Sequence, residues 1–243
     1  NKRDAMKRLL SIGCSHTRYV WPSYADILSA EYDYYENWGA PGIGNFAIFH
    51  RIMEILDTRM LTENDTLLVQ WTYPHRFDFH KSPNGWYQGG NLAFQNDEIQ
   101  ETVSRIAWDE TSYNMYTNNY IKSVYGILRE CKATVRFTSS WPHEFDVADW
   151  LPSLTVIDNL DLKKRRFLNA DPNKRNQIVT DAHYTPQMHF EYLKQFTDFT
   201  ITDKMLSYTS KAEEILNNVK DWSQIQPLMT EAGLIDGFVH GKT

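Results

Sequence analysis

Ser15 is the residue whose position in the sequence best suits a nucleophile. The apolar run at 9–12 predicts a β-strand, and Gly13 ends that run just ahead of Ser15. A serine on a sharp turn after a strand exposes its hydroxyl at the carboxyl edge of a sheet, where backbone N–H groups can receive a developing oxyanion. Such a turn is a weak signal by itself, because the serine needs a base and a carboxylate to activate it.

Asp181 and His183 are the candidates for those two partners. They lie late in the chain and two residues apart, in the stretch 181–189 that opens a predicted helix. One loop could therefore bring both side chains to the carboxyl edge of the sheet, where open α/β folds build their sites. His183 would take the serine proton, and Asp181 would hold the imidazole in the correct tautomer. Taken singly, Asp181 is equally well explained as a turn cap and His183 as a polar loop residue.

Apolar runs alternate with helical patterns along the first 200 or so residues, which is typical of an α/β domain with a parallel sheet. Strands are predicted at 8–12, 32–36, 67–71, 133–138 and 154–157. Helices are predicted after a capping Ser23, after a capping Asn45 and over 114–132. The main domain is predicted to comprise residues 1–204.

Two further segments flank or interrupt this pattern. Residues at about 72–112 form a predicted insertion, rich in aromatic side chains, that would serve as a lid or groove over the substrate or simply fold over the core. Residues 205–243 form a predicted helical appendage, with one helix starting at a Ser210–Glu213 capping box and a short one from Pro227 to Gly233. The appendage would pack on the main domain or join two copies in a homo-oligomer.

Three blocks of this chain resemble those of the SGNH (GDSL-like) hydrolase family. The residues at 13–17 are similar to its nucleophile block, those at 37–42 to its second block, and those at 181–189 to its last block. The resemblance implies a three-layer flavodoxin-like fold, a parallel sheet of order 2-1-3-4-5 with helices on both faces. It also implies ester or acyl hydrolysis, commonly on acylated carbohydrates or lipids. In these terms Ser15 is the nucleophile, Asp181 and His183 complete the triad, and Gly42 donates its N–H to the oxyanion.

The third block departs from the family pattern. The family has Gly-x-Asn-Asp after the third strand, where the asparagine donates to the oxyanion, but this chain has residues 70–76 there. Losing one oxyanion donor costs on the order of a hundredfold to a thousandfold in rate. Asn45, Gln70, Thr72 and Arg76 are the candidates to replace it. The Arg76 guanidinium could also hold an anionic group of the substrate, or it could form a surface ion pair with an acid such as Asp78.

Composition narrows the class of protein further. The chain has 243 residues, 42% of them hydrophobic and 14% aromatic, which is typical of a globular protein. A formal net charge of −6 disfavours nucleic acid or an anionic membrane as a partner. Cys14 and Cys131 lie in apolar contexts and are predicted to be buried free thiols. With no apolar signal segment in the sequence, a cytoplasmic location is expected.

Sequence motifs for metals or cofactors are absent. No His-x-Glu-x-x-His, Cys-x-x-Cys or phosphate-binding glycine loop is found, so neither a metal nor a cofactor is expected. Asp181, His183 and His189 could in principle meet an ion, but the hydrolase hypothesis explains the first two better. His189 is then expected to be a helix residue packed under the loop.

The sequence therefore predicts a serine esterase or deacylase that acts on an acyl or acetyl ester of a small molecule or glycan. The alternative is a weak or inactive protein that keeps the fold for binding or structure, such as a glycan-binding or virion component. A transferase that uses the same acyl-enzyme would differ only in the acceptor.

Overall fold

The structure of the chain is a computed structural model that describes residues 6–80, 85–92, 98–106, 109–140, 155–156, 165–168, 177–196 and 199–236. Its fold is α/β, as the sequence predicts. The strands are β1 (Arg8–Ile12), β2 (Tyr34–Asn37), β3 (Asp65–Trp71), β4 (Arg76–His80), β5 (Trp86–Asn91), β6 (Thr134–Ser139), β7 (Thr155–Val156), β8 (Arg165–Leu168) and β9 (Ile178–Asp181). The helices are α1 (Tyr24–Leu28), α2 (Asn45–Thr58), α3 (Glu98–Ile106), α4 (Glu110–Leu128), α5 (Pro186–Leu193), α6 (Asp203–Asn218) and α7 (Trp222–Glu231). Within these described ranges, none of the helices has the length and apolarity needed to cross a membrane.

The chain divides into two compact units. The sheet unit comprises Asn1–Thr17 and Tyr32–Asp158, and the helical unit comprises Arg18–Glu31 and Asn159–Lys242. Within the helical unit, α6 packs with α1 and α5. Each unit therefore combines segments that are distant in the sequence.

Four parallel strands form the main sheet of the sheet unit, in the order β2-β1-β3-β6. All seven residues of β3 are buried, as expected for a central strand. Arg8 at the start of β1 pairs with Asp65 at the start of β3, and Arg8 Nε lies 2.5 Å from Asp65 Oδ1. This ion pair stabilises the register of the two strands. The two residues of β7 pair in parallel with the end of β6.

The predicted strand at 32–36 begins later than expected, at Tyr34. Asp33 instead makes two contacts with Lys7, since its N–H donates to the Lys7 carbonyl and its Oδ2 accepts from the Lys7 N–H. These bonds hold Asp33 in the connection that leads into the strand.

Helices α2 and α4 share a core with β1, β3 and β6. The predicted start of α4 at residue 114 is wrong, because the helix begins at Glu110. The side chain of Asp109 caps it by accepting a hydrogen bond from the Ser112 N–H at 2.7 Å. Glu110 and Thr111 in the first turn are polar and exposed, so the spacing of apolar residues does not reveal where the helix begins.

The insertion contains more regular structure than its sequence pattern indicates. β4 and β5 form an antiparallel hairpin, and α3 follows it; residues 81–84, 93–97 and 107–108 of the insertion lie outside the described residues. In β4 the polar Asp78 is buried while the neighbouring Phe77 and Phe79 are only partly buried. This reverses the usual alternation of buried apolar and exposed polar residues, and the strand is therefore hard to predict.

The helical unit holds α1, α5, α6, α7 and the antiparallel pair β8–β9. The capping box of α1, formed by Ser23 and Asp26, is confirmed. The predicted start of a helix at Ser210 is wrong, because α6 begins at Asp203 behind a capping Thr202. Ser210 is an exposed residue in the middle of that helix.

Two other helix ends in this unit differ from prediction. Pro227 lies inside α7 and not at its start, since the helix begins at Trp222 behind a capping Asp221. Gly233 does follow the helix end, with φ of 70° in the left-handed region that glycine tolerates. The loop expected to open α5 includes Asp181 as the last residue of β9, and α5 itself starts at Pro186.

Candidate active site

The turn that carries Ser15 is closely packed. β1 ends at Ile12, and the Thr17 N–H donates to the Cys14 carbonyl at 2.9 Å, which closes the turn around Ser15. A Cβ atom at Gly13 would collide with Thr17 Oγ1 and would lie only 2.8 Å from the Cβ of Gln70. Glycine is therefore required at position 13 for this close approach of the turn to β3.

Gln70 packs beneath this turn from the end of β3. Its Oε1 accepts a hydrogen bond from Thr17 Oγ1 at 2.7 Å, and the side chain is fully buried. Its Nε2 has no hydrogen-bond partner among the described residues. Because Gln70 is fully buried and bonded to Thr17, it supports the turn and is poorly placed to meet a substrate.

Cys14 is buried beside polar side chains of the sheet unit, with its Sγ 3.7 Å from Ser140 Oγ and 4.0 Å from Gln70 Oε1. Burial opposes ionisation of its thiol, but the Arg76 charge and hydrogen bonds with Thr72, the His16 backbone and Ser140 outweigh it. Together they hold the pKa of Cys14 below its ordinary value. Burial of Cys14 is confirmed, whereas Cys131 is only partly buried, and both thiols are free.

Backbone hydrogen bonds tie the loop at 37–44 to strand β1 and to the start of the turn that carries Ser15. The Trp38 N–H donates to the Ser11 carbonyl at 2.7 Å, and the Ala40 N–H donates to the Gly13 carbonyl at 3.0 Å. Gly42, the predicted oxyanion donor, adopts φ of 79° and is half-buried in this loop. The sheet unit thus brings the loop at 37–44 next to the turn that carries Ser15.

Asn45 does not cap α2, and it has no hydrogen left to donate to an oxyanion. Its Nδ2 donates to the Thr72 carbonyl at 2.9 Å and to Thr117 Oγ1 at 3.1 Å, while its Oδ1 accepts from the Thr72 N–H at 2.8 Å. The residue at the N-cap position is Gly44. Asn45 therefore fixes the chain just after β3, and Thr72 itself is fully buried.

The cap of α2 comes from the insertion. Asp78 in β4 accepts hydrogen bonds from the Gly44 N–H at 2.6 Å and the Ala47 N–H at 3.1 Å. Burial raises the pKa of Asp78 to about 6, although these two N–H groups and the charges of Arg76 and Arg51 act in the opposite direction. A side chain 34 residues beyond Gly44 thus acts as the N-cap that a neighbouring residue usually provides.

Arg76 binds the same loop from the hairpin. Its Nη1 donates to the Ile43 carbonyl at 3.1 Å, and the guanidinium is near enough to Asp78 and Cys14 for its charge to act on both. Arg76 Nε is buried and has no acceptor among the described residues. Asp78 is buried, and its oxygens accept the N–H groups of Gly44 and Ala47. Arg76 and Asp78 therefore both bind the loop, in place of the surface ion pair that was the alternative for Arg76.

Asp181 and His183 form a hydrogen-bonded pair in the helical unit. Asp181 Oδ1 lies 3.0 Å from His183 Nδ1 and accepts the His183 backbone N–H at 2.7 Å. Burial favours the neutral carboxyl, but the bonds from His183 and from Tyr19 outweigh it and hold the pKa of Asp181 below its ordinary value. An ionised Asp181 keeps the proton of the imidazole on Nδ1 and leaves Nε2 as the basic nitrogen.

Tyr19 is a residue of this site that sequence reasoning missed. Its hydroxyl donates to Asp181 Oδ2 at 2.5 Å, and its ring stacks on the His183 ring with centroids 3.9 Å apart. Its position four residues after Ser15 follows no motif, so no sequence signal marks it. His189, in contrast, is buried in α5 as predicted.

The predicted site residues therefore fall into two groups. The sheet unit holds Ser15, Gly42, Asn45, Thr72 and Arg76, and the helical unit holds Asp181 and His183. Comparison of the chain with protein-family models, with curated proteins and with solved structures gives no match. The assignment of function accordingly depends on the residues and geometry described above. Over the described ranges, His, Cys, Asp and Glu form no group of three or more that could hold a metal ion.

Proposed function

We propose that this protein is an SGNH-like serine hydrolase that cleaves an acyl or acetyl ester. The observation that carries the proposal is the Asp181–His183 pair, in which the carboxylate engages Nδ1 at 3.0 Å. Such a pair serves as the base of a serine hydrolase, because the orienting acid leaves Nε2 available to accept a proton. His183 is partly exposed, with 31% of its side chain accessible, while Asp181 is buried. This is the difference in exposure expected of a base and its orienting acid.

The proposed reaction uses both groups of residues. His183 Nε2 removes the proton of Ser15 Oγ while that oxygen attacks the ester carbonyl, and the backbone N–H groups of Ser15 and Gly42 stabilise the oxyanion. Collapse of the tetrahedral intermediate breaks the ester bond, and His183 returns the proton to the leaving alcohol. Water then hydrolyses the acyl-enzyme with the same base.

The finer description of the fold belongs to the same proposal. The parallel order β2-β1-β3-β6, with β7 paired to β6, supports a flavodoxin-like sheet of order 2-1-3-4-5 once the β4–β5 hairpin is left out of the numbering. The two ties from the 37–44 loop to the turn of Ser15 support the assignment of the second block.

The alternative is a binding or structural protein with this fold. It is favoured by residues 70–76, which lack the asparagine that donates to the oxyanion in the family's third block. Asn45 has used its amide hydrogens elsewhere and Gln70 is fully buried, so neither supplies the family's side-chain donor to the oxyanion. We therefore assign the oxyanion to backbone donors and expect a slower enzyme than one with the full set.

A fluorophosphonate probe tests the proposed function directly. Wild-type protein should be labelled, since the probe phosphonylates an activated serine and releases fluoride, whereas Ser15→Ala should not be labelled at all. Ser210→Ala removes an exposed serine of α6 and is the matched control, which should label like wild type. Folded wild-type protein that resists labelling would favour the binding protein.

Arg76 leads to a prediction about substrate class. Its Nε has no acceptor among the described residues and its Nη1 binds the loop of Gly42, so we assign it to an anionic group of the substrate. Arg76→Gln should lower kcat/KM for a hemisuccinate ester by about tenfold or more relative to the acetate ester of the same alcohol. Arg76→Lys keeps the charge and should lose less. Equal losses on the two esters would show that Arg76 supports the loop alone.

Location and assembly complete the proposal. We place the protein in the cytoplasm because its two cysteines are free thiols. A homo-oligomer that uses the C-terminal helices is supported by Leu206 of α6 and Leu228 of α7, which are large apolar side chains exposed on those helices.

A further inference from the structure

Tyr19 contacts both members of the Asp181–His183 pair. Its hydroxyl donates to Asp181 Oδ2 at 2.5 Å, and its ring lies on the His183 ring with an interplanar angle of 25°. Tyr19 is 6% exposed and Asp181 is 8% exposed. Water therefore competes little for the hydrogen bond between them.

The two oxygens of Asp181 are divided between its neighbours. Oδ1 faces the Nδ1 atom of His183 and accepts the backbone N–H of the same residue, while Oδ2 accepts from Tyr19. A carboxylate held at both oxygens cannot rotate away from the imidazole. Without the Tyr19 hydroxyl, Oδ2 would be a buried acceptor that has lost this donor.

Tyr19 is itself held by an aromatic cluster in the helical unit. Its ring meets the ring of Trp21 edge to face, with centroids 4.7 Å apart, and that of Trp222 at 6.3 Å. Trp21 Nε1 donates to the Tyr184 carbonyl at 2.7 Å, next to His183 in the chain. The cluster thus anchors the tyrosine and the backbone beside the histidine together.

His183 and Tyr19 both act on the ionisation of Asp181, and their hydrogen bonds favour its charged form against the effect of burial. Burial and the negative charge of Asp181 raise the pKa of Tyr19 above its ordinary value, so its hydroxyl keeps its proton and remains a donor. A donor at Oδ2 draws negative charge away from the oxygen that faces His183.

We propose that Tyr19 is a positioning residue of the hydrolase, fixing the Asp181 carboxylate with its hydroxyl and the plane of the His183 imidazole with its ring. This inference depends on the proposed function, since it assigns Tyr19 to the base of that reaction. Tyr19 acts through Asp181 and His183 and does not touch the substrate in this role.

The test compares Tyr19→Phe, which keeps the ring and removes the hydroxyl, with Tyr208→Phe. The Tyr208 hydroxyl donates to the Leu234 carbonyl in the same unit, so this control also loses a tyrosine hydrogen bond. Tyr19→Phe should lower kcat about tenfold with KM within about twofold. It should also move the acid limb of the kcat/KM profile to higher pH, because a more negative Asp181 favours the imidazolium.

A measurement that needs no substrate separates this inference from the proposed function. In an NMR titration, the midpoint for the His183 ring should rise by about half a pH unit or more in Tyr19→Phe and stay at the wild-type value in Tyr208→Phe. An unchanged midpoint in Tyr19→Phe, or an equal shift in the control, would overturn the role of Tyr19. Failure of wild-type protein to react with the fluorophosphonate would instead overturn the hydrolase, whatever the titration gives.

Discussion

Asp181→Asn is expected to lower kcat for ester hydrolysis by about 10⁴-fold. The asparagine fills the same volume, but its amide can donate a hydrogen to His183 Nδ1. That favours the tautomer in which Nε2 carries the proton, and such an imidazole cannot accept one from Ser15. Because the change acts on the transition state and not on substrate binding, KM should change little. Steady-state kinetics on a p-nitrophenyl acyl ester measures both constants.

The matched control for this prediction is Asp236→Asn. Asp236 is an exposed acid of the same unit that pairs with Arg18 at 2.6 Å, so its variant removes a carboxylate without touching His183. Its kcat should equal that of wild type, and circular dichroism should show both variants folded. A folded Asp181→Asn variant with at least a tenth of the wild-type kcat would contradict the role given to Asp181.

Asp78→Ala is expected to lower the free energy of unfolding by about 2–3 kcal/mol. The change removes the acceptor of two buried N–H groups, those of Gly44 and Ala47, at the first turn of α2. It also removes a negative charge near Arg76 and Arg51. Urea unfolding followed by tryptophan fluorescence measures the loss.

The same residue predicts a pH dependence of stability. In the folded chain the pKa of Asp78 is raised to about 6, above the ordinary value of 3.8. Between these values the folded state binds more protons than the unfolded state, so the contribution of Asp78 to stability falls as pH rises from about 4 to about 6. The stability of wild type relative to Asp78→Asn, which cannot ionise, should therefore fall by up to about 3 kcal/mol over that range.

Asp57 provides the control for this pH dependence. It is an exposed acid near the other end of α2, and Asp57→Asn should leave the pH dependence of unfolding like that of wild type. Parallel unfolding curves for wild type and Asp78→Asn from pH 4 to pH 7 would rule out the raised pKa of Asp78.

The sequence predicts those parts of the molecule where local pattern and tertiary structure agree. The apolar run at 8–12 predicts a buried strand, and its apolar residues are buried in β1. The capping box of Ser23 and Asp26 is predictable because it forms from residues only three apart. The spacing of Asp181 and His183 likewise predicts their proximity, since two residues on one turn can bond each other without help from the rest of the chain.

Long-range contacts are the features that the sequence does not reveal. Asn45 has the type and position of a helix cap, yet its side chain bonds Thr72 and Thr117 instead. Asp78 looks like a surface acid and serves as the missing cap. Tyr19 joins a residue more than 160 positions away, and no local pattern encodes such a pairing. In each case the tertiary structure, and not the local sequence, determines which residue is the partner.

The capping of α2 by Asp78 also limits how this protein can change. An insertion is usually thought of as a removable module, but this hairpin completes the helix that follows Gly42 and binds the Ile43 carbonyl through Arg76. Shortening the hairpin would leave the Gly44 and Ala47 N–H groups at the start of α2 without their acceptor. It would also remove the contact of Arg76 with the loop beside the Ser15 turn. Any relative that dispensed with the hairpin would need a new acid or hydroxyl at the position of Gly44. There, a Cβ would have room only after Asp78 and Arg76 had left.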